Sequence, residues 1–377
     1  MYEYRKSGRY FAQCADDIQE IVAEELEELG ANAIKPGYRG VYFTADRETL
    51  YAVNYRSRLA TRILAPVITF DCHSDDYLYT TALSVNWNDF ITEKSTFAVF
   101  AAVSHSRIRH SKYAALRLKD AIVDYFRKST GRRPDIDTKN PDIWFNLHIE
   151  NNRARISVDT SGGSLHRRGY RTASVEAPMA ETVAASVIRY SGWNGETPLY
   201  DPMCGSGTIL CEAYLSATGT PPAILRKAFG FMRLPDYDAS VWERVRTGVS
   251  IRSVPKGMIA GSDADHAAAA AARQNCSLID RNHAIDIQRR DLFDIPTLHG
   301  YTIVTNPPYG IRLRDKGSIE AFYKRFGDFL KQRCTGSVAY IYFGNRSHLK
   351  NIGLRPAFRK ALKNGGLDGR LARFDLY

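Results

Sequence analysis

Between residues 198 and 343, five short strand-like runs (198–200, 258–262, 285–289, 301–304 and 337–343), mainly apolar except for 285–289, alternate with stretches long enough to form helices. Strands this short and this apolar must be covered on both faces. The alternation therefore predicts an α/β fold in which right-handed βα units build a doubly wound sheet. In such a sheet the loops at the carboxyl ends of the strands gather at one crevice, so any site belongs there. Three of those loops carry unusual residues.

The first is Asp201-Pro202-Met203-Cys204-Gly205-Ser206-Gly207-Thr208. Gly205 and Gly207 allow a tight turn and close approach of a ligand, and Thr208 opens an apolar helix whose N-terminal amides face the loop. No Gly-Lys-Ser/Thr follows and no third glycine completes a dinucleotide fingerprint, so a phosphate-binding loop is not expected. An acidic residue opening the loop suits a ligand with a cationic part. The second is Ile259-Ala260-Gly261-Ser262-Asp263, a strand ending in a carboxylate of the kind that accepts from two ribose hydroxyls. The third is Thr305-Asn306-Pro307-Pro308-Tyr309-Gly310. Its prolines stiffen the turn and remove two backbone donors, so the Asn306 side-chain oxygen and the Pro307 carbonyl can converge on one planar amino group while the Tyr309 ring offers an apolar face. Alone, Asn-Pro-Pro reads equally as a strand-ending turn.

Taken in order, DPMCGSGT, GSD and NPPY resemble the S-adenosylmethionine-dependent class I amino-methyltransferases, which methylate exocyclic nitrogens of bases. Leu165-His166-Arg167-Arg168-Gly169-Tyr170-Arg171 sharpens the resemblance to the THUMP-domain RNA guanine-N2 methyltransferases, in particular the bacterial enzymes acting on 23S ribosomal RNA. The resemblance covers nearly the whole chain. It implies a ferredoxin-like α+β unit at 1–56, a THUMP RNA-binding domain at 57–160 and a C-terminal class I, Rossmann-like methyltransferase domain at 161–377. The cofactor it implies is S-adenosyl-L-methionine, held by Asp201, Pro202, Cys204, Gly205, Ser206, Gly207, Thr208, Asp263, Asp291 and Asn306, with Glu181 and Thr182 at its methionine end; no metal is expected. Asn306, Pro307, Pro308 and Tyr309 are the implied catalytic residues. Asp291 would sit beside the adenine or simply cap a helix, and Glu181 would accept from the α-ammonium group or cap its own helix. Two departures, His266 where relatives usually have Pro and Ile311 where an acidic residue often stands, leave loop details open. Nothing is carried over from the second methyltransferase domain of the longer relatives.

A formal net charge of +11 over 377 residues favours a polyanionic partner, although charge alone does not separate RNA from an anionic membrane surface. No stretch approaches the roughly 20 apolar residues of a membrane span, and the N-terminus does not lead into a signal peptide, so a cytoplasmic protein without membrane contact is expected. The six cysteines show no zinc spacing and read as free thiols. Cys204 could be a nucleophile of the kind that methylates C5 of pyrimidines, but it sits inside the glycine loop.

The amino-terminal half reads as strands at 9–12 and 41–43 with helices at 16–29 and 48–55, then strands at 62–70, 96–103, 143–149 and 155–159 with helices at 75–83 and 111–128. Glu24, Glu25, Glu27 and Glu28 read as a solvated face. From 104 to 133, Arg107, Arg109, Lys112, Arg117, Lys119, Arg127, Lys128, Arg132 and Arg133 face only Asp120 and Asp124. With Ala115, Leu118, Ile122 and Phe126 as the buried stripe, these cations are a ridge for phosphates or a solvated face. The THUMP resemblance favours the ridge. Arg107, Arg109, Lys112, Lys119, Arg132 and Arg133, together with Arg167, Arg168 and Arg171 beyond the joint at 161–164, are the expected RNA contacts. Residues 226–237 are expected to wall the RNA cleft, and Lys363-Asn364-Gly365-Gly366 to turn a final hairpin. The expected activity is methylation of guanine N2 in 23S rRNA by a monomer, with the same chemistry on tRNA equally permitted. Adenine-N6 methylation of DNA and a non-catalytic RNA-binding assembly role are the alternatives.

Overall fold

The computed structural model describes residues 1–175, 178–308 and 319–377, which fall into two compact units. Tyr309, Gly310 and Ile311 lie outside the described residues. The first unit comprises Met1–Cys14, Val22–Leu165 and Arg226–Gly248; the second comprises Ala15–Ile21, His166–Leu225 and Val249–Tyr377.

In the first unit, β1 (Arg9–Gln13), β2 (Asn32–Gly37), β3 (Gly40–Thr44), β4 (Arg62–Asp71), β5 (Thr96–Ser104), β6 (Asp135–Ile136), β7 (Ile143–Glu150) and β8 (Arg153–Asp159) form one sheet in the order β2-β3-β1-β4-β8-β7-β5-β6. Its helices are α1 (Glu3–Ser7), α2 (Gln19–Glu28, from Val22 onward), α3 (Arg47–Arg56), α4 (Asp75–Leu83) and α5 (Ser111–Thr130). Because β4 pairs antiparallel with β1 on one side and β8 on the other, the portions expected to be ferredoxin-like and THUMP share a single sheet. Along α5 the buried positions are Ala114, Leu118, Ala121, Ile122, Val123 and Phe126, a stripe at helical spacing that leaves most of the cations outside. Ala115, expected in that stripe, is only half-buried.

One expectation for this unit fails. Glu25 is buried, not solvated: its carboxylate accepts from the Ser57 hydroxyl at 2.6 Å and from the Arg58 and Leu59 amides at 2.8 and 3.3 Å, locking the turn that precedes β4. The segment Arg226–Gly248, which includes α8 (Ala239–Thr247), belongs to this unit and anchors to it through Phe229, Phe231, Leu234 and Val245, while most of α8 stays exposed. Phe231 stacks on Tyr51 at 4.2 Å, Trp242 meets Tyr55 edge-on at 5.2 Å, and Phe229 and Phe231 stack at 5.0 Å. Gly230 is required there, since a Cβ would fall 1.9 Å from the Asp159 carbonyl oxygen.

The second unit holds a seven-stranded sheet of β9 (Leu199–Asp201), β10 (Ile259–Asp263), β11 (Ile285–Arg289), β12 (Thr302–Thr305), β13 (Val338–Phe343), β14 (Phe358–Ala361) and β15 (Arg370–Asp375), in the order β11-β10-β9-β12-β13-β15-β14. The first five strands of that order are parallel, and the β14–β15 hairpin closes one edge antiparallel. The helices are α6 (Glu181–Ser191), α7 (Thr208–Thr218), α9 (His266–Ser277) and α10 (Ile319–Arg333). Chain order runs outward from β9 to β11 and then returns to β12 on the other side of β9. That reversal makes the carboxyl ends of β9 and β12 the topological switch point.

Candidate active site

Asp201 ends β9 with its carboxylate buried, and its Oδ1 accepts from the Met203 amide at 3.1 Å. Gly205 and Gly207 then take left-handed φ values of 54° and 81°. A Cβ on Gly207 would lie 3.1 Å from the Ala272 Cβ and 3.2 Å from the Cys276 Sγ, so both conformation and space demand glycine. The loop is bound to β10 as one piece: the Cys204 amide donates to the Ser262 carbonyl and the Gly205 amide to Asp263 Oδ2, each at 2.9 Å. Gly261 permits this contact, because a Cβ there would stand 2.9 Å from the Asp201 carbonyl oxygen. Asn275 on α9, which nothing in the sequence singled out, is fully buried and fastens the same loop. Its Nδ2 donates to the Ser206 and Ala173 carbonyls, and its Oδ1 accepts from the Thr172 and Ala173 amides.

Burial pushes the Asp201 carboxyl up to about 7, and the neighbouring Asp263 charge adds to the shift. Burial also holds the Cys204 thiol well above its ordinary range, which keeps it neutral and unsuited to nucleophilic attack. Asp291 is exposed, and its Oδ1 accepts from the Phe293 amide at 2.9 Å as the cap of a short helical turn.

At the start of α7, the Arg171 guanidinium donates to the Thr208 hydroxyl at 3.0 Å and the Met179 carbonyl at 2.6 Å, and its Nη1 lies 3.4 Å from Glu181 Oε1. Glu181 opens α6 buried, and burial raises its carboxyl against the opposing pull of Arg171. Thr182, next on α6, is also buried. Two shielded atoms here have no hydrogen-bond partner among the described residues: the Arg171 Nε, a donor, and the Glu181 Oε2, an acceptor. A zwitterionic amino-acid group answers both, and the amides at the α7 N-terminus add to the donor side.

On the other side of the switch point, β12 runs parallel between β9 and β13 and delivers Asn306. Asn306 is part-exposed, yet its Oδ1 is shielded and without a partner among the described residues. The turn that follows is braced from α10. The buried Tyr323 hydroxyl donates to the Pro308 carbonyl at 3.3 Å, with the Tyr323 ring stacked on His348 at 5.0 Å and on Phe343 at 5.6 Å.

Of the expected RNA contacts, Arg107, Arg109, Lys112, Arg132, Arg133 and Arg167 are exposed. Lys119 is half-buried and paired with Asp120. Arg117 lies over the Tyr79 ring and pairs with Asp75 and Asp76 from α4, which removes it from the ridge. Arg168 is a correction: it is 2% exposed, and its Nε donates to Glu212 Oε1, which also accepts from the Tyr170 hydroxyl. It cannot reach RNA. Arg171, expected on the RNA side, is likewise engaged at the α7 N-terminus.

The left-handed glycine cradle, the Asp263 carboxylate at the next strand end and the orphaned donor and acceptor beside α7 fit a nucleoside bearing an amino-acid tail. Residues 168–373 match the family model described as the RMKL-like methyltransferase domain. The chain belongs to the RMKL-like methyltransferase family. Further matches are a THUMP domain at 72–159 and an RlmL ferredoxin-like domain at 9–64. A Synechocystis protein provisionally named an RNA methyltransferase, slr0064, is 37% identical over 98% of this RMKL-like chain and 97% of its own. The ribosomal RNA large subunit methyltransferase K/L of Syntrophotalea carbinolica is 37% identical over 98% of this chain and 53% of its own length, so the chain spans about half of that relative. Among solved structures, SMU.472, a provisionally assigned methyltransferase complexed with S-adenosylhomocysteine, superposes with a TM-score of 0.83 at 26% identity over 98% of each chain. A Listeria monocytogenes chain assigned by prediction as an N6-adenine-specific DNA methylase superposes with a TM-score of 0.84 at 25% identity, covering 99% of this chain and 97% of its own. The cofactor of this RMKL-like methyltransferase is S-adenosylmethionine.

Proposed function

We propose that this enzyme methylates the exocyclic N2 of a guanine in 23S ribosomal RNA, with residues 1–56, 57–160 and 161–377 acting as ferredoxin-like, THUMP and methyltransferase domains. The observation that carries the reading is the orphaned Asn306 Oδ1 at the switch point. A shielded acceptor without a partner costs about 1–3 kcal/mol, and a planar amino group would relieve it. S-adenosylmethionine supplies an electrophilic methyl group on its sulfonium. The chain's own contribution is to hold the amine: Asn306 Oδ1 and the Pro307 carbonyl accept its two hydrogens, while Tyr309, outside the described residues, is the ring that the family resemblance assigns to stacking the base. Guanine N2 is a poor nucleophile because its lone pair is conjugated with the ring. Drawing both hydrogens toward acceptors favours the pyramidal nitrogen needed for attack and fixes its direction. The base must leave its stack to reach such a pocket. The name of the K/L relatives favours large-subunit ribosomal RNA.

The test is incubation with labelled S-adenosylmethionine and, separately, ribosomal and transfer RNA from cells lacking the protein, followed by nucleoside mass spectrometry. N2-methylguanosine in 23S rRNA is the expected product. The same nucleoside only in tRNA would move the substrate but keep the chemistry, whereas N6-methyladenine or no product would overturn the reading.

A further inference from the structure

Residues 344–377 carry eight Lys or Arg against two Asp, a local net charge of +6 within a chain total of +11. Part of this charge is gathered in a groove of about 310 Å³ in the second unit, lined by Arg346, Leu349, Arg359, Lys360, Ala361 and Arg370. The anion facing it among the described residues is Asp368, which pairs with Arg370 at 2.6 Å and Arg346 at 3.6 Å; the Lys360 ammonium lies over Tyr190 and pairs with Glu20 on the other face of β14. Three arginines against one carboxylate leave the groove positive. Arg359 is exposed, with no partner among the described residues.

Its position in the sheet gives this groove meaning. Phe343, the last residue of β13, pairs with Arg370, Arg370 pairs with Ala361 of β14, and Arg346 follows β13 by three residues. β12, which delivers Asn306, lies alongside β13 in parallel. The groove therefore opens at the carboxyl ends of the parallel strands, as Asn306 does, two to three strands away or about 10–15 Å. The two places are also linked through side chains. Tyr323 holds the Pro308 carbonyl with its hydroxyl and stacks on His348, which belongs to the same turn of helix as Arg346 and Leu349.

We propose that this groove grips the phosphate backbone of the RNA strand next to the target nucleotide, giving the catalytic sheet its own RNA contact in addition to the cations of α5. The proposal rests on the RNA reading above. A groove that is open, positive and lined by arginine forks suits a chain of phosphates better than a sequestered small anion. A contact on the sheet that carries Asn306 sets the position of the flipped base directly, where about 1 Å of misplacement costs on the order of a hundredfold in rate.

The test measures the affinity of the full chain for 23S rRNA purified from cells lacking the protein, across a series of KCl concentrations. The double substitution Arg346→Ala/Arg359→Ala should weaken binding and lower the slope of log K against log salt by about 1.4, at about 0.7 per single-strand phosphate. S-adenosylhomocysteine affinity should be unchanged. Should the double variant lose cofactor binding, Arg359→Gln alone, which touches an exposed and unpaired side chain, should lower the slope by about 0.7. An unchanged slope in a variant that binds cofactor normally overturns the proposal, as does a wild-type chain that does not bind the RNA. Product identity is read separately: a wrong nucleoside with an intact slope effect sinks the proposed function and leaves the groove standing.

Discussion

Replacing Glu181 with Gln should weaken S-adenosylhomocysteine and leave 5′-methylthioadenosine, the same nucleoside without the amino-acid tail, bound as before. Glu181 Oε2 is shielded and orphaned, and Oε1 faces Arg171 at 3.4 Å, so the amide keeps the shape of the side chain and removes the charge that would meet an α-ammonium group. A hydrogen bond to a charged group contributes about 1.5–3 kcal/mol, equivalent to about 10- to 150-fold in Kd. Arg171→Gln should show the same selectivity through the carboxylate of the tail. Calorimetric titration of both ligands against wild type and each variant gives the answer. The pH dependence has a defined sign. Burial raises the Glu181 carboxyl, so its ionised fraction and the affinity for the ammonium-bearing ligand should rise as pH climbs through that raised value, and the Gln variant should lose this rise. Equal weakening of both ligands would mean that Glu181 only supports the fold, and no weakening of either would remove it from the cofactor site.

Gly207→Ala should cost about 2–5 kcal/mol, from the left-handed φ and the contacts with Ala272 and Cys276, and should abolish cofactor binding; a melting temperature close to wild type would contradict the close-approach argument. Asp201, ordinarily near 3.8 but about 7 when folded, holds a proton in the folded chain that the unfolded chain has lost, so stability should fall as pH rises between those values, by at most about 4 kcal/mol. In Asp201→Asn this loss should vanish, which thermal melts from pH 4 to pH 8 would reveal; parallel curves for variant and wild type would refute it. Arg168→Ala should destabilise by about 3–5 kcal/mol because it strands the buried Glu212, while leaving the salt slope of RNA binding unchanged. Arg132→Ala/Arg133→Ala should do the reverse, with an unaltered melting temperature and a slope lowered by about 1.4–1.8.

The strands that carry the site were legible because they are apolar, short and followed by loops of distinctive composition: β9, β10 and β12 all lie within a residue or two of where hydrophobicity places them. The polar edge strands β2 and β6 were not, since neither buries a residue on either face and so neither shows an apolar alternation. The second helix, α2, begins at Gln19, later than the pattern implies, because Asp17 takes a left-handed φ of 70°. The glycine loop could be read from its two glycines, but Asn275, which ties that loop down, is one amide in an alanine-rich helix and gives no signal. Arg168 and Arg171 misled for a related reason. In a run of alternating arginines nothing marks which are turned inward, and only the partners Glu212 and Glu181, from helices further along the chain, decide it. Nothing in the sequence of 226–237 shows that Phe229 and Phe231 pack with Tyr55 and Tyr51, far earlier in the chain.

The central claim is that the Asn306 carbonyl oxygen holds the reacting amine and does nothing essential for the cofactor. A single-turnover assay of Asn306→Ala on 23S rRNA, run beside a titration with S-adenosylhomocysteine, tests it most directly. The account predicts a rate lowered by at least about 10²–10³-fold with the dissociation constant for S-adenosylhomocysteine essentially unchanged. Methyl transfer at the wild-type rate, or a loss of activity matched by an equal loss of cofactor affinity, would contradict it.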